Sequence, residues 1–237
     1  MTTRIRVAIL EDHQSTLDGY CYRLGGAPQI EIVGAARTWS EFEALLAAQP
    51  ADVALLDLNV PSAPDNPNPY PVFHAIPQLL QTYPLLDLLV ISMHADHSLI
   101  EAVLATGVSG YILKDDAETL KELAAVITLV AGGGIVISPN AWQAPAHLGA
   151  APAGPQLTAR QREALSLSAA YPEASLAQLA ERLGVMNSTA RNLLSGAYLR
   201  LGVRNRAAAV AKARQLGLIN ASGAPVGAWP RRGVSEP

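Results

Sequence analysis

Apolar residues follow two patterns along the chain. In the first half they gather in short runs: "IRVAIL" at 5–10, "IEIVGAA" at 30–36, "VALLDL" at 53–58, "LLVISM" at 88–93 and "GYIL" at 110–113. Several of these runs are apolar almost throughout. That suits strands of a parallel sheet covered on both faces. Between them lie stretches with helical spacing, near 14–25, 39–48, 72–82, 96–106 and 116–131. Five such alternations in one stretch predict an α/β unit, an open, doubly wound five-stranded parallel sheet. Functional groups in such sheets gather at the carboxyl ends of the strands.

The second half changes period. "LTARQREALSLSAA" (157–170) reads as an amphipathic helix whose start carries a capping box, Thr158 then Gln161. "SLAQLAERLGV" (175–185) follows, with Gly184 as its C-cap. "NSTARNLLSGAYLRLGV" (187–203) repeats Ala190, Leu193, Leu194, Ala197, Tyr198 and Leu201 at helical spacing, the signature of a core face. "RNRAAAVAKARQLGLI" (204–219) is a fourth helix. Ala177 to Leu194 has the layout of a helix-turn-helix: helix, glycine-containing turn, helix. The expectation is a small all-α helix-turn-helix domain after the sheet. Residues 139–156, rich in Ala, Pro and Gly, read as a mobile linker, and 220–237 as a disordered tail.

Charge sharpens this division. Residues 1–138 carry 16 acidic and 6 basic side chains, and residues 139–237 carry 4 acidic and 11 basic ones. An acidic half and a basic half point to different partners, the basic one a polyanion. A basic surface without any partner is the bland alternative. The single cysteine, Cys21, excludes an intramolecular disulfide and reads as a core residue. No apolar run reaches the roughly 18 residues needed to span a membrane. "VAIL" is too short for a signal-peptide core. A cytoplasmic protein without a membrane partner is expected.

The strand ends carry the candidate chemistry. Glu11 and Asp12 follow the first strand, Asp57 the third, Ser92 the fourth and Lys114 the fifth. Three carboxylates at one sheet edge repel one another unless a cation joins them, and Mg²⁺ suits oxygen ligands. A carboxylate held ionised beside Mg²⁺ and a lysine can attack phosphorus. Ser92 and Lys114 could hold the oxygens of the transferred group. Any one of these residues alone would be an ordinary turn residue; the combination carries the signal. His94 and His97 have no third ligand in view, so a zinc site is rejected. His13 is expected to be exposed.

These residues resemble the receiver domain of two-component response regulators. "ED" at 11–12, "LLDLNVP" at 55–61, "VISMH" at 90–94 and "GYILKDD" at 110–116 fall in that family's order. The resemblance implies a receiver over 1–138 with Asp57 as phosphoacceptor, taking its phosphoryl group from a sensor histidine kinase. It implies Asp12 as a direct Mg²⁺ ligand, Glu11 holding ligand waters, and Asn59 contributing its backbone carbonyl. Ser92 would be the hydroxyl that follows the phosphate, and Tyr111 the switch aromatic. One departure stands out. The family's loop after the phosphoacceptor is short and contains glycine; here "PSAPDNPNPYPV" (61–72) is longer, lacks glycine and is stiffened by proline.

The second half resembles the LuxR-type DNA-binding domain of the NarL/FixJ response regulators over 157–219, through "LTARQREAL", "LAERLGV" and "LGVRNRAAAVAKARQLGLI". The third helix would then enter the major groove of promoter DNA. Its exposed candidates are Ser188, Thr189, Arg191, Asn192 and Ser195, with Arg204 and Arg206 on the DNA backbone. Ala177, Leu193 and Leu194 stand where the family carries polar or basic residues. Gly196 weakens the helix by roughly 1 kcal/mol relative to alanine. Fewer basic contacts imply a shallower salt dependence. Activation would pair two copies into a homodimer on half-sites about 10 base pairs apart. An alternative is a phosphorylation-independent regulator controlled by a partner protein or ligand. An aspartate-nucleophile phosphatase would need an acid two residues after Asp57, where Asn59 stands, so no enzyme activity beyond slow self-dephosphorylation is expected.

Overall fold

The structure, a computed structural model, describes residues 4–142 and 157–219. The chain opens with β1 (Ile5–Leu10), α1 (Gln14–Gly25), β2 (Ile30–Ala36), α2 (Trp39–Ala48) and β3 (Val53–Leu56). A two-stranded hairpin follows, β4 (Pro61–Ala63) and β5 (Asn66–Pro69), then α3 (Val72–Thr82). Next come β6 (Asp87–Ser92), α4 (His97–Ala105), β7 (Gly110–Leu113), α5 (Ala117–Lys121), α6 (Leu123–Ala131), β8 (Val136–Ile137) and α7 (Pro139–Trp142). The helical region comprises α8 (Ala159–Ala170), α9 (Leu176–Leu183), α10 (Asn187–Leu201) and α11 (Arg206–Gln215).

The main sheet is parallel, in the order β2-β1-β3-β6-β7-β8. Its central strands are buried along their whole length because helices cover both faces. One face packs Ala8, Leu56 and Val90 against Phe42, Ile76 and Ile100 of α2, α3 and α4. The other packs Ile9, Leu55 and Ile112 against Tyr20, Leu24 and Ile127 of α1 and α6. Alternate residues of each strand thus feed two separate cores. Among the described residues no helix is long and apolar enough to cross a membrane.

Four details differ from the sequence reading. The sheet has six strands rather than five, because Val136 and Ile137 pair with Gly110 and Tyr111 at its edge. The helix expected over 116–131 breaks at Glu122, whose backbone leaves the helical region (φ −93°, ψ 21°). The linker expected from residue 139 instead begins as α7, with Ala141 buried in the core. Residues 143–156 and the tail from 220 lie outside the described residues.

The fourth difference is the proline-rich segment. It forms an antiparallel hairpin, with Pro61 opposite Pro69 and Ala63 opposite Asn66. A separate two-stranded ribbon tolerates prolines because its outer N–H positions pair with nothing. The Tyr70 N–H donates to the Val60 carbonyl at 2.8 Å and closes the base. The Tyr70 ring stacks on Trp39, at the start of α2, with centroids 4.5 Å apart and planes 9° from parallel.

Capping behaves as the local sequence dictates. The Thr158 hydroxyl accepts from the Gln161 N–H at 3.2 Å, and Gln161 accepts from the Thr158 N–H at 3.0 Å. Gly184 closes α9 in the left-handed region at φ 65°. The apolar faces of α8 to α11 meet in one core around Leu165, Leu179, Leu194 and Ala209.

Candidate functional site

Strands β1, β3 and β7 end at the same edge of the sheet, so Glu11, Asp57 and Lys114 meet there. The Lys114 ammonium lies 2.7 Å from Glu11 Oε2 and 2.7 Å from Asp57 Oδ2. Glu11 and Asp57 are both buried. Asp57 Oδ1 accepts the Asn59 N–H at 3.0 Å, and Glu11 Oε1 accepts the His13 N–H at 3.1 Å. Burial raises the Glu11 carboxyl above the ordinary range, and Lys114 opposes that. Burial alone would lower Lys114, but its bonds to Asp57 and Glu11 outweigh it and the net shift is upward. The lysine therefore stays charged between two carboxylates.

Asp12 is half-buried beside this pair. Its Oδ1 lies 2.8 Å from the exposed His13 Nδ1. Ligand atoms of Glu11, Asp12 and His13 fall within 4.8 Å of one another. Glu11 and Asp12 offer hard carboxylate oxygens there, and Asp57 adjoins Glu11 through the shared Lys114 ammonium, a chemistry that suits a hard divalent cation. Asn59 is exposed at the mouth of the site. Arg37, which sequence reasoning missed, donates from Nε and Nη2 to the Asp12 carbonyl at 3.1 and 2.9 Å. Nothing in its local sequence distinguished it from a solvated end-of-strand arginine.

Ser92 and Tyr111 sit deeper. The Ser92 hydroxyl accepts the His94 N–H at 3.2 Å. Tyr111 is fully buried, and its hydroxyl donates to the His94 carbonyl at 2.7 Å. Burial raises its phenol above the ordinary value. The Tyr111 ring thus lies inward.

The helix expected to read DNA does not face solvent. Arg191 and Ser195, expected to be exposed, are buried, and Ser188, Thr189 and Asn192 are half-buried. Helix α10 lies against the end of α4 and the turn into β7. The Arg191 guanidinium is paired with Asp87 at the start of β6 and donates to the Gly107 carbonyl at 3.3 Å. Asp87 also accepts the Ser109 hydroxyl at 2.9 Å. Burial pushes the Asp87 carboxyl up, and Arg191 and Ser109 oppose it. The Asn192 amide donates to the Ala105 carbonyl. Gly107, at φ 98°, lets Ser188 approach; a Cβ there would come within 2.7 Å of the Ser188 carbonyl. Asp87 is the second residue missed, because an acid opening a strand carries no signal about a helix 104 positions away.

Of the two arginines expected on the DNA backbone, Arg204 is exposed. Arg206 is half-buried and donates to the Ala174 carbonyl at 2.6 Å, which ties α11 to the loop before α9. Its structural task competes with a phosphate contact.

Comparison with known proteins supplies the context for this geometry. No protein-family model matches the chain. The probable transcriptional regulatory protein NarL of Mycobacterium tuberculosis is 30% identical over 221 residues, covering 92% of this chain and 97% of that protein. The transcriptional regulatory protein DegU of Brevibacillus brevis is 34% identical over 138 residues, about half of its length. The Salmonella typhimurium response regulator RcsB, in a structure that concerns conformational dynamism for DNA interaction, superposes with a TM-score of 0.54. It is 20% identical and covers 92% of this chain and all of that one.

Proposed function

This chain belongs to the NarL type of transcriptional response regulators, and on that premise we propose that it is a DNA-binding regulator switched by phosphorylation of Asp57. The observation that carries this reading is the Lys114 ammonium held 2.7 Å from both Asp57 and Glu11. Asp57 is the nucleophile, fixed by its Asn59 bond and paired with Lys114. Glu11, Asp12, Asp57 and the Asn59 carbonyl would hold Mg²⁺, which when bound neutralises charge on the phosphoryl oxygens. Lys114 and Ser92 receive those oxygens once the group is transferred. A sensor histidine kinase is the donor.

Residues up to about 138 act as the receiver and 157–219 as the DNA-binding domain. In the closed arrangement Asp87 and the α4–β7 turn occupy the groups that α10 would offer to DNA. Strand β6 runs from Asp87 at this contact to Ser92 at the phosphoryl site, a span of about 17 Å. Phosphorylation draws on Ser92 and Tyr111, loosens the far end and releases α10. Ser188, Thr189, Arg191, Asn192 and Ser195 then face a major groove, with Arg204 and, more weakly, Arg206 on phosphates. Two released copies form a homodimer on paired half-sites.

Phosphorylation-independent control is a second reading, favoured by Tyr111, which is already inward and hydrogen-bonded. Intact mass after incubation with acetyl phosphate and Mg²⁺, with Asp57→Asn as control, decides between them. A gain of one phosphoryl group in the wild type alone supports the first reading. Asp57→Asn that still answers its signal in DNA binding supports the second.

A further inference from the structure

Three consecutive residues at β8 sit in three different apolar cores. Ile135 belongs to the core of the helical region, with Leu176, Leu179 and Tyr198. Val136 packs against the sheet core on the side of α1 and α6. Ile137 is buried in the sheet core on the side of α2, α3 and α4. The sheet and the helical region therefore share apolar packing through one short stretch of backbone. Local sequence builds this junction. Gly110 opens β7 without a side chain, and a Cβ there would come within 2.3 Å of the Val136 carbonyl. Gly133 turns at φ 81°, in the region that favours glycine, and a Cβ there would meet the Leu176 Cβ at 3.0 Å. The Val136 N–H donates to the Ser109 carbonyl at 3.1 Å, and the Ser138 N–H to the Tyr111 carbonyl at 3.0 Å. The fully buried Ser138 hydroxyl accepts the Leu113 N–H at 3.1 Å.

The attachment at α10 is of another kind. It consists of the Arg191–Asp87 pair and the bonds from Arg191 and Asn192 to the Gly107 and Ala105 carbonyls, with Leu199 adding apolar contact. Arg191 Nε is buried and has no hydrogen-bond partner among the described residues. Desolvation offsets much of the attraction in a buried ion pair, and each of these polar groups regains hydrogen bonds in water when the contact opens. Ile135 is 5% exposed, and water offers no replacement for its packing. The polar attachment is therefore the one that gives way first.

We propose that the helical region pivots on Ile135: α10 leaves the sheet while β8 keeps the region seated at the sheet edge. A pivoting region presents α10 over a narrow range of orientations, set by the pairing of β8 with β7. A region held by chain connection alone would present α10 in any orientation. The inference goes beyond the role of Asp57, and its test uses unphosphorylated protein, so either can fail without the other.

Small-angle X-ray scattering of the monomeric full chain, together with amide exchange, reads the two attachments separately. In Asp87→Ala, protection over 187–195 is expected to fall while protection over 135–138 and 176–183 stays within about twofold of wild type. The radius of gyration of that variant is expected to stay within about 5% of wild type, because the two units remain joined. Adding Ile135→Ala to Asp87→Ala is expected to raise the radius by at least about a fifth, as two compact units separate. Adding Ile135→Val instead, which keeps a branched side chain, is expected to hold the chain compact. Gly133→Val in the Asp87→Ala background crowds Leu176 while keeping every residue of the helical core, so it tests the seat even where Ile135→Ala unfolds that core. It is expected to expand the chain with its helical circular dichroism unchanged. A radius that rises in Asp87→Ala alone overturns the pivot, because the polar contact then held the region by itself. A radius unmoved in both the Ile135→Ala and Gly133→Val double variants overturns it as well, and so does unchanged protection over 187–195 in Asp87→Ala.

Discussion

Arg191 of helix α10 is ion-paired with Asp87 of strand β6, across 104 residues of sequence, with both side chains nearly excluded from water. Removing one partner of such a pair strands the other charge, at a cost of about 3–5 kcal/mol. Asp87→Ala should therefore open the contact while the sheet core, which does not depend on it, stays folded. Amide hydrogen exchange over 187–195 is expected to rise at least tenfold in the unphosphorylated full chain. Unchanged protection would show that Asp87 does not hold α10.

The hairpin and Asp57 share a short stretch of chain. Asp57 and the base of the hairpin at Val60 are three residues apart, and the Trp39–Tyr70 stack fixes that base against α2. Tyr70→Ala removes the stack, worth about 0.5–1.5 kcal/mol beyond buried area. The expected outcome is a phosphoryl lifetime on Asp57 changed at least twofold, measured by intact mass against time. Replacing residues 62–71 with a short glycine-containing loop should change it further. Wild-type lifetimes in both variants would make the hairpin irrelevant to the site.

Gly196 behaves differently in its surroundings than in an isolated helix. Alanine is better than glycine by roughly 1 kcal/mol in a helix interior. Here a Cβ would meet Gln161 Nε2 at 2.7 Å. Gln161 closes the α8 capping box through the Thr158 N–H and also accepts from Arg200. Displacing it offsets the helix gain, because a lost cap costs about 1 kcal/mol. Gly196→Ala is expected to leave the melting temperature of this region within about 2 °C of wild type. A rise of the size expected for about 1 kcal/mol, 4–8 °C in a small domain, would contradict the crowding.

Arg191 and Arg204 should report different things about DNA. Arg204 is exposed and free to meet a phosphate once α10 is released. Arg204→Ala in the Asp87→Ala background should weaken binding to all duplexes alike and reduce the salt slope by about 1. Arg191→Ala in that background should instead cost about 1–3 kcal/mol on one sequence and relax preference at one base. Fluorescence anisotropy over a salt series separates the two. Equal slopes in all variants would remove Arg204 from the interface.

Local sequence determined most of the framework. The strand cores, the helix caps at Thr158 and Gly184, and the order of Glu11, Asp57, Ser92 and Lys114 were legible because periodicity and strand ends are local properties. A parallel sheet then brings successive strand ends to one edge, so the carboxylate cluster followed from topology. The prolines of 61–71 read as a long, stiffened loop, yet a hairpin formed because a two-stranded ribbon has outer positions that need no N–H. Only the tertiary structure decided what covers the polar face of α10. Such a face has the same pattern whether it meets water, DNA or another part of the chain. The pairing of Arg191 with Asp87, the close approach that Gly107 allows and the seating of Ile135 in the helical core depend on distances between elements far apart in sequence. No local preference encodes them; the packing of one unit against another does.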